Sequence, residues 1–144
     1  MIKAIAKVLN SGTEPGQISL ALCLSIIAGF TPVLSPHNLI ILLLVLVLRV
    51  NLIGFCIGWA IFFSVGHLLT PLFHGIGLAV LTASPLTDFW TGLYNTSWFR
   101  LDRLNNTVVM GSLFFSLALF IPCLVVFNLL FRRFAVSHRR GGAQ

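Results

Sequence analysis

Three stretches of this chain run without a single Asp, Glu, Lys or Arg: Gln17 to Leu48, Val50 to Thr87 and Leu104 to Phe131. A chain of 144 residues cannot bury that much aliphatic surface in one water-soluble core. Its residues are 58% hydrophobic and 8% charged, against about 25% charged in soluble domains. The chain is therefore expected to use a lipid bilayer as its solvent. That excludes a water-soluble enzyme and a nucleic-acid-binding domain. The net charge of +6 does not reopen the second reading, because the basic residues sit at the edges of apolar segments, the pattern of membrane orientation.

The expected fold is all-α: a polytopic integral membrane protein with about four apolar passes in one membrane domain, 1–144. Residues 1–10 space Met1, Ile2, Ile5, Val8 and Leu9 as one face of an interfacial helix, with Lys3 and Lys7 on another. The apolar stretch that follows has no small-x-small cleavage pattern, and Leu22 before Cys23 is too large for a lipoprotein box, so the segment is expected to stay. Residues 17–50 would reach about 50 Å as one helix, against a hydrocarbon core of about 30 Å. They must fold back as a proline-broken hairpin, either as two full spans or as a shallower re-entrant pair.

Residues 52–82 form a kinked apolar segment interrupted at Thr70-Pro71. Residues 84–106 carry Trp90, Tyr94 and Trp98 four apart, expected as one face of a periplasmic interfacial helix. Residues 107–131 suffice to cross with tilt despite Pro122, and 132–144 form a basic tail. Lys3, Lys7, Arg49, Arg132, Arg133, Arg139 and Arg140 fall on one side and Arg100 and Arg103 on the other, which places both termini in the cytoplasm. Cys23, Cys56 and Cys123 have no pairing pattern and are expected as small core residues.

Ser35-Pro36 and Thr70-Pro71 each pair a good N-cap residue with proline at the first helical position. Helix starts at membrane depth offer free N–H donors and partial positive charge. Ser35, Pro36, His37, Asn38, Thr70, Pro71 and His74 are therefore the candidate site for an anion or lipid headgroup; the plainer alternative is that proline ends one helix and begins the next. His37, His67 and His74 have the nitrogen donors for a metal site, but Pro71 breaks their register, and none is assigned. Arg49 and Asn51 serve either as a cytoplasmic anchor or as a polar gate. Gly54, Gly58, Ala60, Gly75 and Gly77 are expected to permit close helix approach. The acids Glu14, Asp88 and Asp102 lie outside the spans, and no Ser or Cys sits beside an evident base, so catalysis and catalytic residues are not expected. No cofactor is implied.

Gly29-Phe30-Thr31-Pro32, the polar turn at Ser35 to Asn38, Arg49-Val50-Asn51, Gly58-Trp59 and Leu69-Thr70-Pro71-Leu72 together resemble a family of small bacterial membrane proteins designated a domain of unknown function. The likeness covers roughly residues 15–80 and departs at the turn, where Ser35 to Asn38 stand in place of the family's glycine-x-glutamine. The resemblance implies a bacterial inner-membrane protein acting beside a much larger envelope protein. The expected function is a small inner-membrane subunit of such a partner in phospholipid transfer, with membrane lipids as ligands. Two alternatives stand beside it: an independent small-solute transporter or channel acting as a homo-oligomer, and a purely structural anchor.

Overall fold

The computed structural model describes residues 14–141, with side chains described to residue 134. The interfacial helix expected at 1–10, and the side chains of Arg139 and Arg140, lie outside the described residues. Within them all regular structure is helical: α1 (Pro15–Phe30), α2 (Pro36–Val47), α3 (Leu52–Leu68), α4 (Thr70–Leu81), a 3₁₀ turn (Ser84–Leu86), α5 (Thr87–Tyr94), α6 (Ser97–Leu101) and α7 (Thr107–Gly141). Proline sets two of the starts by local chemistry. Pro15 and Pro36 open α1 and α2 where a missing N–H costs nothing.

The Thr107–Phe134 part of α7 is long and apolar enough to cross a bilayer. Only 6% of its most apolar window is buried. α3 and α4 meet the same criterion only as a pair, bent by 75° at Leu69. α1, with 16 residues, and α2, with 12, reach about 24 and 18 Å. The expected four passes thus resolve into one membrane-length helix, one bent pair and two shorter apolar helices.

The major packing is α4 on α7, and α1 on both α3 and α7. α1 and α3 run parallel: Gly58 faces Leu22 and Ser25, and Gly29 faces Phe62. α2 returns the chain between them, with Arg49 in the left-handed region at φ 49° making the turn into α3. α4 and α7 run antiparallel, Gly77 against Thr107 and Gly111, and Gly111 against Phe73. α1 is antiparallel to α7, with the Phe30 and Phe115 rings 6.1 Å apart. The end of α1 therefore meets α7 at Phe115, roughly 12 Å along from Thr107. Ala21, Leu24, Ile27 and Ala28 of α1 form the core with Ile41, Val45, Val50 and Phe55, and Trp59, Leu113 and Phe120 pack on it.

Several expectations change. Thr70 is not an N-cap: Leu69 holds that place, and the Thr70 hydroxyl turns back to the His67 carbonyl at 2.9 Å. A hydroxyl at a helix junction satisfies whichever end lacks partners, and here that is the last turn of α3. Trp90, Tyr94 and Trp98 do not share a helix face, because Asn95-Thr96 separates α5 from α6. The basic segment after Phe131 continues α7 as helix to Gly141. Of the cysteines only Cys23 is buried, and Cys56 is exposed. Gly75 meets nothing within 4 Å and is no packing glycine.

Asn51 caps α3, its Oδ1 accepting from Gly54 N–H at 2.6 Å. Asn51→Ala is expected to cost about 1 kcal/mol in thermal unfolding of the detergent-purified protein, while Asn51→Asp costs a fraction of that. Equal loss for both would show that the cap bond is not what Asn51 contributes.

Candidate functional site

The tip of the α1–α2 hairpin is built by two short polar side chains. Asn38 Nδ2 donates to the Pro32 carbonyl at 2.8 Å and reaches the Ala28 carbonyl at 3.4 Å. Thr31, 2% exposed, places its hydroxyl 2.7 Å from the Ile27 carbonyl and 3.0 Å from Asn38 Oδ1. These bonds answer the carbonyls left open at the end of α1. Asn38 is thereby committed to holding the turn.

The first turn of α2 is occupied by an anion the protein itself supplies. Asp102, 3% exposed, follows α6 and brings its carboxylate to His37, with Oδ1 and Oδ2 at 2.7 and 2.8 Å from Nδ1. The His37 backbone N–H donates to the same carboxylate at 3.3 Å. A carboxylate at a helix start receives both N–H donors and the favourable end of the helix dipole. Of Ser35, Pro36, His37 and Asn38, expected to receive an anion or headgroup, only His37 meets the Asp102 carboxylate. The His37 side chain is 12% exposed, and its Nε2 is buried without a hydrogen-bond partner.

The second break does not join this arrangement. His74 Nδ1 lies 2.6 Å from the Thr107 hydroxyl, linking α4 to the start of α7, and His67 Nδ1 lies 2.9 Å from the Phe63 carbonyl. The three histidines are thus engaged separately. Among the described residues no hydrogen bond connects Ser35–Asn38 with Thr70–His74. The junction between the breaks is aromatic instead: Phe30 meets Phe62 at 5.7 Å and Phe73 at 5.3 Å, and Phe73 meets Phe115 at 5.7 Å.

Beside the hairpin tip lies a groove of about 500 Å³ between α2 and α3. Val33, Leu34, Leu39, Leu42, Phe55 and Trp59 line it, together with Ser35, Pro36 and Asn38 from the tip and Ala28 from α1. No Lys, Arg, Asp or Glu contributes to its wall. Leu34 is 99% exposed at its rim. Trp59 Nε1 is buried without an acceptor, an arrangement that costs about 1–3 kcal/mol.

Above the hairpin, α5 and α6 form a small cap. Trp90 Nε1 donates to the Val80 carbonyl at 2.9 Å, and its ring stacks on the buried Phe99 at 6.3 Å. Trp90 thus ties the cap to α4, whereas Tyr94 and Trp98 are exposed. Arg49 is exposed at its turn, and Asn51 acts as a cap.

Sequence reasoning set Asp102 aside as lying outside the spans, and it quoted Trp59 only as part of the family resemblance. No signal in the sequence points to Asp102, because its burial and its partner His37, 65 positions away, appear only in the structure. Compared with models of protein families, with curated proteins and with solved structures, the chain gives no match.

Proposed function

We propose that the chain is a bacterial inner-membrane protein that takes one acyl chain of a phospholipid into the groove beside the hairpin tip. It does so as the small membrane subunit of a larger envelope protein in phospholipid transfer. The observation that carries this reading is the groove itself, apolar along its wall and open at Leu34 and Leu39. With α7 crossing the bilayer, the end of α1 at Phe30 lies roughly 12 Å along α7 from Thr107, and the tip beyond it reaches the cap at Asp102. The short arms α1 and α2 then make a re-entrant hairpin, whose irregular backbone at Pro32–Ser35 is tolerated because Asn38 and Thr31 satisfy it.

The uncovered faces support a lipid solvent. α2 leaves Leu39, Ile40, Leu42, Leu43, Leu46 and Val47 exposed, and α7 leaves Leu117, Ile121, Val125, Val126 and Leu129 exposed. Apolar patches of this extent mark contact with membrane or partner. Arg49 and Arg132 stand at the opposite end from Arg100 and Arg103, so the positive-inside rule puts the first pair in the cytoplasm. The larger partner rests on the resemblance read from the sequence of residues 15–80 alone, for which no family model gives a match. The candidate site shifts accordingly: the start of α2 holds Asp102, so the lipid is bound by its chain and not by its phosphate.

A photo-crosslinking amino acid at Leu39, introduced in cells, should recover phospholipid on the purified protein. Leu42→Trp, which fills the groove, should reduce that yield roughly 5- to 30-fold, the equivalent of about 1–2 kcal/mol of overpacking. An equal yield from a crosslinker at Val125, on the open face of α7, would show general lipid contact and sink the groove assignment.

A further inference from the structure

α2 is bound to the rest of the molecule in an unusual way. Ile41 and Val45 are its buried residues, α1 is its one substantial packing partner, and the opposite face is bare. In lipid an apolar arm gains little by touching protein, because acyl chains are as apolar as leucine. Polar links therefore decide where the arm rests. Asn38 bonds stay inside the hairpin, to Thr31, Pro32 and Ala28. Among the described residues the His37–Asp102 pair is the single polar link from α2 to anything outside that hairpin.

Among the described residues the carboxylate in this link has no second charged partner. Arg100 and Arg103 flank Asp102 in sequence, yet His37 makes the one ion pair found among the described residues. Asp88, Tyr94, Arg100, Arg103 and His74, the other titratable groups of the cap and of α4, are exposed. The groove lies between α2 and α3, so any outward swing of α2 widens it.

We propose that α2 is a lateral gate on the groove and that the His37–Asp102 pair is its latch: with the pair intact the arm stays on the cap, and with Asp102 neutralised it swings away from α3. What the gate admits rests on the lipid reading above; the movement does not.

The test is a distance measurement by pulsed electron paramagnetic resonance on full-length protein in nanodiscs, with Cys23, Cys56 and Cys123 replaced by alanine. Spin labels go at the exposed positions Leu43 on α2 and Ile61 on α3, and a control pair at Ile61 and Leu117 on α7. The parent should give one short Leu43–Ile61 distance, with any open form a minor state of at most roughly 10%. Asp102→Asn should make a longer distance the larger population while the control pair stays fixed. His37→Ala should do the same, and the double variant His37→Ala, Asp102→Ala should go no further than either single change.

An unchanged Leu43–Ile61 distance in these variants, with the control pair intact, overturns the latch. Movement of the control pair as well, in the double variant that leaves no unpaired charge, also overturns it by showing general loosening. A single distance together with lipid crosslinking at Leu39 removes the gate and keeps the groove; a longer distance without crosslinking keeps the gate and removes the lipid reading.

Discussion

Valine at position 77 or 111 is expected to part α4 from α7 and leave little folded protein. A Cβ at Gly77 would fall on the Thr107 carbonyl oxygen, 2.6 Å from its carbon and 2.9 Å from Gly111 N. A Cβ at Gly111 would fall on the Phe73 carbonyl oxygen, 2.6 Å from its carbon and 2.8 Å from Gly77 N. Every one of these neighbours is backbone, so no rotamer change relieves the clash. Overpacking in ordinary cores costs about 1–3 kcal/mol, and more where nothing yields; total stability is only about 5–15 kcal/mol. Alanine at either site should already lower the midpoint of thermal unfolding in detergent, and valine should abolish a monodisperse peak. Gly75→Ala is the control. It has open space around it and should be neutral or slightly stabilising, by up to about 1 kcal/mol from helix propensity. If Gly111→Ala unfolds at the same temperature as Gly75→Ala, the close crossing of α4 and α7 is not as drawn.

The second large effect is expected at Phe73, which is 1% exposed and touches both Phe30 and Phe115. It follows the bend at Leu69 by one turn and is the ring through which α4 holds the end of α1. Phe73→Ala removes those contacts and leaves a cavity, a change worth about 3–5 kcal/mol in well-packed cores. In a bilayer the transfer part of that cost shrinks while the lost packing remains, so about 3 kcal/mol is expected. Phe73→Leu should recover part of it. Denaturant titration of both variants in mixed micelles reads the difference, and a cost for Phe73→Ala below that of Asn51→Ala would remove the aromatic junction from its place in the fold.

Legibility in the sequence followed the range of the interaction. The start of α2 at Ser35-Pro36 was readable because proline at the first helical position acts on its own backbone. The hairpin and the break near Pro71 were readable from length alone, since a continuous helix would overrun the bilayer. Thr70 was misassigned because the residue types that suit a helix start also suit the closing of the helix before it, and only the unmet carbonyls of α3 decide between them. The shared face of Trp90, Tyr94 and Trp98 presumed a continuous helix, which Asn95-Thr96 ends. Asp102 was out of reach for a different reason. Its partner lies 65 positions away, and no local rule connects the first turn of α2 with the turn after α6. The sequence does not say that a carboxylate of the protein itself comes to that helix start.

The unbroken course of α7 has a mechanical consequence. At 35 residues it is a rod of about 52 Å, gripped near one end by α4 through Gly111 and carrying Arg132 and Arg133 toward the other. A flexible tail would absorb any pull or twist applied to the basic end. A continuous helix, weakened only where Pro122 removes one backbone hydrogen bond, carries more of it toward the cap that seats Asp102.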